Sequence, residues 1–189
     1  MIKSKSDLEF FLQQDEIARF GCNVGFAKKW RMGLLWKYNV VLRKLEYTIN
    51  CKSGVLRKLL RYWYTWRLES MGLRLGWCIP PNCFGPGLCI VHYGTVIVNN
   101  HASVGANCRI QAGVNIGANG GDDAPHLGDN VYIGPGAKLF GNITLGSNIA
   151  IGANAVVNKS FDEDSITLVG VPAKIVSHEG SKRFIRVNH

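Results

Sequence analysis

The chain has 189 residues, of which 47% are apolar, and a formal net charge of +9 at pH 7. This length suffices for one or two domains with a buried core. No apolar run reaches the roughly 18–20 residues of a membrane span, and the N-terminus has no secretory hydrophobic region. The six cysteines form no C-x-x-C pair, so we expect reduced thiols in a cytoplasmic protein rather than a zinc or disulfide framework.

The positive charge is concentrated in the N-terminal part. Residues 1–75 hold 15 Lys/Arg against 6 Asp/Glu, whereas residues 76–189 hold 7 of each. Three helices are predicted in 1–75. The first opens at a capping box of Ser6 and Glu9 and breaks at Gly21, and the others cover about 30–49 and 55–75. The sequence therefore divides into two parts with different properties.

Aromatic residues alternate with cations in the second and third predicted helices, as in the stretch 61–67. One interpretation is a helical cap on the following domain, with the aromatics in its core and the cations solvated. The other adds contact between residues 28–75 and the inner face of an anionic membrane, which basic helices with Trp and Tyr favour. No recognition motif accompanies the charge, so nucleic acid is not an expected partner.

An aliphatic residue recurs every six positions in the second half of the chain. It occurs in two runs: Val98, Val104, Ile110 and Ile116, then Leu127, Ile133, Leu139, Leu145, Ile151 and Val157. This period fits neither a helix nor an ordinary strand. It predicts short strands joined by tight corners, in coils that bury their apolar residues only by stacking on one another.

This repeat resembles the hexapeptide-repeat acyltransferases, especially serine acetyltransferases and the related acetyltransferases of surface-polysaccharide clusters. The likeness covers about residues 77–176 and includes the closing Gly-Val-Pro-Ala-Lys at 170–174. It implies a mainly β fold with α, a left-handed parallel β-helix preceded by an α-helical N-terminal region. The implied domains are a helical region at 1–75, an acyltransferase β-helix at 76–176 and a C-terminal tail at 177–189.

The resemblance also implies acetyl-CoA as cosubstrate, no metal, and a homotrimer or pair of trimers with active sites between neighbouring chains. His92 is the predicted general base. It stands six residues before Val98, in a slot otherwise aliphatic, and 24 before Ile116, which is the family's spacing. An alcohol is a weak nucleophile until a base takes its proton, and imidazole suits that task near pH 7.

The hexad count is interrupted twice. Leu127 follows Ile116 by eleven residues and Leu168 follows Val157 by eleven, and we interpret each gap as one hexad plus five extra residues. The first gap is expected to form a loop over the active-site groove, where Asp123 and Asn115 would meet the acceptor. By resemblance, six residues would hold coenzyme A, although ordinary coil corners explain them equally: Gly117, Ala118, Pro135, Gly136, Ala153 and Lys174.

Several positions depart from the serine acetyltransferase pattern. Cys78 replaces the Asp that would partner the catalytic His, and Val91 replaces the acidic residue that would meet the amino group of serine. Asp123 and Ala124 replace an Arg-His pair that would meet its carboxylate. Three carboxylates could orient His92 instead: Asp15, Glu69, and Asp123 of a neighbouring chain.

Because contacts with charged groups are the strong ones, we expect an acceptor other than free serine. The sequence thus predicts an acetyl-CoA-dependent O-acetyltransferase acting on a sugar hydroxyl of a surface polysaccharide or its lipid-linked precursor. One alternative is a serine O-acetyltransferase of cysteine biosynthesis with rearranged contacts. A non-catalytic β-helix scaffold is a further alternative.

Overall fold

The N-terminal region forms three helices. The computed structural model describes residues 1–22, 33–51 and 54–186. The helices are α1 (Lys5–Phe20), α2 (Gly33–Asn50) and α3 (Val55–Leu75). The cap of α1 is Ser4 rather than the predicted Ser6, since the Ser4 side chain accepts from the Asp7 amide. The predicted start of the second helix at 30–32 lies outside the described residues.

Short strands follow the helices, and they assemble into three sheets. The described strands are β1 (Trp77–Cys78), β2 (Cys89–Ile90), β3 (Val96–Val98), β4 (Ser103–Val104), β5 (Arg109–Ile110), β6 (Val114–Gly117), β7 (His126–Leu127), β8 (Tyr132–Ile133), β9 (Lys138–Phe140), β10 (Thr144–Leu145), β11 (Ala150–Ile151), β12 (Val156–Val157), β13 (Thr167–Val169) and β14 (Lys174–Ser177). Sheet A has the order β1-β3-β6-β9-β12, sheet B β10-β7-β4, and sheet C β14-β13-β11-β8-β5-β2. Strands pair in parallel except for the antiparallel pair β13–β14.

From β2 the chain visits sheets C, A and B in turn, which makes each coil a triangle. This is the predicted left-handed parallel β-helix preceded by helices. All ten aliphatic residues of the repeat point inward and are at most 6% exposed. The six-residue period therefore predicts correctly which side chains face the interior of the β-helix.

The register of the first coil differs from the count in sixes. Ile90 pairs with Ile110, twenty residues on, whereas later coils such as Val96 and Val114 pair at eighteen. Ile90, fully buried, fills the inward position, and His92 is exposed just after it. The expectation that His92 occupies an aliphatic slot is wrong, because the first coil carries two extra residues.

The two interruptions have different structural causes. Ser103 pairs with His126, 23 residues on, so the first does contain five extra residues. The second contains no insertion. Leu145 bridges to Phe161, and Ile151 pairs with Leu168 only 17 residues on. The chain therefore passes through sheet B at Phe161, and that coil is one residue short.

Asparagines build the corner between sheets B and C. Asn107, Asn130 and Asn148 have φ angles of 57°, 57° and 59°, a left-handed conformation that Asn tolerates better than most residues. Their side chains form a ladder, with Nδ2–Oδ1 distances of 2.9 Å between Asn107 and Asn130 and 3.0 Å between Asn130 and Asn148. The amide chain thus ties successive coils together.

The helical region supplies hydrogen bonds that a preceding coil would otherwise make. Buried Asp15 of α1 accepts from the amides of Gly87 and Leu88 at 2.9 and 2.8 Å. Arg19 donates to the carbonyl of Ile90 at 2.8 Å. The segment that ends two residues before His92 is therefore held by side chains of α1.

The C-terminal segment, residues 178–186, packs against sheet C. Phe184 stacks on Tyr132, with ring centroids 4.1 Å apart. Ser181 donates to the carbonyl of Asn130, and Arg186 donates to the carbonyl of Arg19 in α1 at 3.0 Å. The tail therefore returns from the last coil to the first helix and covers sheet C.

Candidate active site

His92 lies at the corner between β2 and β3 and is exposed. Within the described parts of the chain it has no hydrogen-bonding or ion-pairing partner. Of the three predicted orienting groups, Asp15 is buried against Gly87 and Leu88, while Glu69 and Asp123 are exposed elsewhere on the surface. The imidazole is thus positioned by its backbone and is open to a ligand or a neighbouring chain.

A column of glycines descends the prism from His92, along the corner between sheets C and A. Gly94, Gly113 and Gly136 have φ angles of 121°, 80° and 75°. A Cβ on Gly94 would come within 3.2 Å of the Ala112 Cβ, and one on Gly113 within 3.1 Å of the Gly136 nitrogen. A side chain at Gly94 or Gly113 would therefore crowd a neighbouring residue, and the bare backbone at these positions is accessible to an extended ligand.

The six predicted cofactor residues do not lie together. Pro135, Gly136 and Ala153 lie on the same corner as His92, in the connections from β8 to β9 and from β11 to β12. Gly117 ends β6, so it and Ala118 are at the opposite edge of sheet A, and exposed Lys174 begins β14 on sheet C. A single prism cannot bring these three places together, because they lie on different edges.

Lys138 is a site residue that the sequence reasoning missed. It is the partner of Asn115 across β6 and β9, and its amino group donates to the carbonyl of Gly113 in the glycine column. Both side chains are half-buried on the outer side of sheet A. Asn115 and Lys138 are 23 residues apart, so their pairing follows only when the five extra residues of the loop are counted between the two strands.

The loop after β6 lies at the edge between sheets A and B. The Asn119 amide donates to the carbonyl of Asp123 at 3.2 Å, which closes the loop. Asp122 pairs with Nε2 of His101 at 3.0 Å, while the Asp123 side chain is exposed. Ala124 is only 1% exposed and belongs to the core, so this position cannot present a side chain to an acceptor.

The remaining histidine near the loop is engaged on sheet B. Nδ1 of His126 lies 2.7 Å from the Ser103 hydroxyl, and both side chains face outward. His126 is exposed there. His101 is also exposed and contacts Asp122 of the loop.

The positions that depart from the family pattern also have defined places. Cys78 is exposed at the end of β1, where it pairs with Ile97 of sheet A, and Val91 is half-buried beside His92. Neither position offers a charge. Nor, within the described ranges, does any group of three or more His, Cys, Asp or Glu come close enough to hold a metal ion. Among the described helices, none is long and apolar enough to cross a membrane.

Comparison with known proteins identifies the repeat and its relatives. A family model described as bacterial transferase hexapeptide (six repeats) matches residues 124–159. A serine acetyltransferase of Staphylococcus aureus is 42% identical over 99 residues, which are 51% of this chain and 46% of the relative. The chain therefore spans about half the length of the curated relatives it matches.

Two solved structures extend the likeness to the helical region. Serine acetyltransferase of Neisseria gonorrhoeae in complex with serine has a TM-score of 0.71 at 29% identity and covers 92% of this chain and 71% of its own. The Brucella abortus serine acetyltransferase in complex with coenzyme A has a TM-score of 0.69 at 29% identity and covers 92% and 67%.

These comparisons contradict the sugar acceptor predicted from the sequence. The relatives and neighbours just described are serine acetyltransferases, and one of them was solved with serine. They favour the alternative that the sequence left open. The prediction was wrong because it took the absence of three charged contacts with serine to mean that serine is not the acceptor.

Proposed function

Because the chain has the fold and repeat of the hexapeptide-repeat transferase family, we propose that it is an acetyl-CoA-dependent serine O-acetyltransferase with His92 as general base. The observation that carries this proposal is the exposed imidazole at the head of a corner lined by glycine. The names of the relatives support acetyl transfer to serine, and the glycine corner supports a position for the donor beside His92.

In the proposed reaction, His92 takes the proton from the serine hydroxyl as its oxygen attacks the thioester carbonyl. The tetrahedral intermediate then expels the thiolate of coenzyme A, and the imidazolium returns the proton to that sulfur. O-acetylserine and coenzyme A are the products. A base placed in this way typically contributes about 10²–10⁴-fold to the rate.

The pantetheine arm of acetyl-CoA would run along the column of Gly94, Gly113 and Gly136, next to Pro135 and Ala153. Lys138, bound to the Gly113 carbonyl, keeps the corner in shape from the sheet A side. Gly117, Ala118 and Lys174 belong to other edges, so we assign them to contacts with a ligand held between neighbouring chains.

We propose a homotrimer as the active assembly. Sheet C is covered by the chain's own tail, whereas the outer side of sheet A exposes Ile97, which is 42% accessible, beside half-buried Asn115. A neighbour on this side would bring its loop towards His92. The exposed Asp123 of that loop is then the carboxylate we assign to orient the imidazole.

The primary test is release of coenzyme A from acetyl-CoA in the presence and absence of L-serine. We expect serine-dependent release, lost by about 10²-fold or more in His92→Ala. His178→Ala is the matched control, because His178 is an exposed histidine paired with Glu163 at 2.8 Å in the tail region. Release that is independent of serine would overturn the acceptor, and full activity of His92→Ala would overturn the base.

The loop assignment has its own matched pair, since Asp122 and Asp123 are adjacent. Asp123→Asn should lower kcat and shift the pH profile of kcat/KM, because the imidazole loses its carboxylate partner. Asp122→Asn removes only the contact with His101 and should leave the profile unchanged. Equal profiles for the two variants would exclude Asp123 from this role, and light scattering would check that both remain trimeric.

A further inference from the structure

Helix α3 carries apolar residues on two opposite sides. Its inner side packs on the protein through Leu68, Met71 and Leu75, all of which are buried. The outer side repeats large apolar residues at helical spacing, and all of them are exposed: Leu56 70%, Leu59 62%, Trp63 49%, Trp66 61% and Leu73 88%. Because it is unfavourable to expose so many apolar side chains to water, we expect a partner surface to cover this side of the helix.

The same helix is strongly basic. It contains one acidic residue, Glu69, against five cations: Arg57, Lys58, Arg61, Arg67 and Arg74. Lys58 and Arg74 are exposed and flank the apolar stripe on its two sides, near the N-terminal and C-terminal ends of the helix. The partner must therefore accept tryptophan and leucine and also carry negative charge.

We propose that the outer side of α3, named here the α3 face and comprising Leu56, Leu59, Trp63, Trp66 and Leu73, docks on the interface of an anionic lipid bilayer. The helix lies in the plane of the surface, with these side chains among the acyl chains and Lys58 and Arg74 against the headgroups. Tryptophan suits this depth, since its ring is apolar and its N–H is polar.

A second copy of the chain is the other occupant to weigh. Packing two α3 faces together would bring into contact two helices that each carry five cations and one carboxylate. An anionic bilayer instead gains from each cation about fivefold in binding. The positive charge of α3 therefore favours lipid.

The apolar surface also continues past the helix. Leu73 and Leu68 line a groove between the helical hairpin and the first coil, together with Ile49, Ile79 and Pro80. This groove extends the apolar surface of the α3 face at the end of the helix nearest the β-helix. The same docking would hold the prism beside the membrane surface without inserting it.

The test is co-sedimentation of the full chain with vesicles of phosphatidylcholine, with and without phosphatidylglycerol, in the absence of acetyl-CoA. We expect binding only to the anionic vesicles, weakened by added salt. Lys58→Gln with Arg74→Gln should lower it by about 25-fold. Trp63→Ala with Trp66→Ala should abolish it at the same salt concentration.

Matched controls come from α1. Phe10→Ala removes an aromatic residue that is 48% exposed, and Lys5→Gln removes an exposed cation; neither should alter vesicle binding. Absence of anionic-vesicle binding by the wild type would overturn the proposal. So would a loss of oligomer mass in the tryptophan variant, because the α3 face would then be an interface between copies. Since no enzyme assay is involved, the result is independent of the proposed reaction.

Discussion

Arg43 of α2 and Asp15 of α1 form an ion pair from which water is excluded: Nε and Oδ2 are 2.8 Å apart, and both side chains are 0% exposed. Burial alone would lower the pKa of Arg43, but Asp15 and Glu46 outweigh it and hold that pKa above its ordinary value. The guanidinium therefore stays charged while it donates to the carbonyls of Phe84 and Gly85 at 2.9 and 2.6 Å. One cation thus joins two helices to the first coil.

Neutralising Asp15 should be strongly destabilising. Asp15→Asn leaves a buried guanidinium with only Glu46 as counter-charge, and breaking a buried pair costs about 3–5 kcal/mol. Urea unfolding at fixed protein concentration measures the loss. Glu9→Gln is the control, because the Lys5–Glu9 pair is 3.8 Å long with side chains 81% and 68% exposed, and should leave the midpoint unchanged. Equal midpoints for the two variants would contradict this account.

The inward positions of the repeat should be far more sensitive than outward ones. Ile133 is fully buried, whereas Ile175 of β14 is 38% exposed. Ile133→Ala should lower the free energy of unfolding by about 2–5 kcal/mol, because it removes buried methyl groups and leaves a cavity. Ile175→Ala makes the same chemical change and should cost less than about 1 kcal/mol. Thermal and urea unfolding would each reveal the difference.

A buried thiol should make stability fall in alkaline solution. Burial raises the pKa of Cys83 from 9.0 to about 12. Because the thiol has the higher pKa in the folded state, its contribution to stability is fully present below the unfolded pKa. That contribution is lost as the pH rises from 9 towards 12. The expected contribution is a loss of about 1.4 kcal/mol per pH unit above 9.

The slope between pH 9 and 10.5 is the quantity to compare. Cys83→Ala should reduce it by that amount, whatever its effect at pH 7, because the unfolded chain no longer gains a thiolate. Cys22→Ala, at an exposed position, should leave the slope as in the wild type. An unchanged slope in Cys83→Ala would mean that Cys83 ionises normally in the folded protein.

The repeat allowed the fold to be predicted because each inward side chain is fixed by the coil period alone. All ten aliphatic positions from Val98 to Val157 are buried as expected. The phase of the first coil could not be predicted, since nothing local marks the two residues added near His92. The same six-residue arithmetic mistook a shortened coil for an insertion after Val157.

Site residues were harder to predict than the fold, for a geometric reason. Pro135, Gly136 and Ala153 share a corner with His92, but that corner became visible only from the strand registers. The Lys138–Gly113 contact joins residues 25 apart in sequence and depends on the loop length. The acceptor was predicted wrongly because Val91 and Asp123 show only that charged contacts with serine are missing. A missing contact does not identify a different substrate.

The tail should add measurable stability through one aromatic stack. Phe184→Ala removes the ring that lies 4.1 Å from Tyr132, and such pairs contribute about 0.5–1.5 kcal/mol beyond their buried area. We therefore expect a loss of about 1–3 kcal/mol on unfolding. Phe10→Ala, at a side chain 48% exposed, should cost markedly less. Loss of the near-ultraviolet circular dichroism of Tyr132 would accompany undocking of the tail.

Stacked coils that touch only their neighbours ordinarily fray from an open end. Here Arg186 of the C-terminal segment donates to the carbonyl of Arg19, so the last coil is connected to the first helix. Detaching the final strands then requires separating the tail from Tyr132 and from α1 as well. Amide hydrogen exchange should consequently be slowed to a similar degree from Ile90 to Leu168. The coils at the two ends should exchange no faster than those in the middle, because the tail connects the two ends.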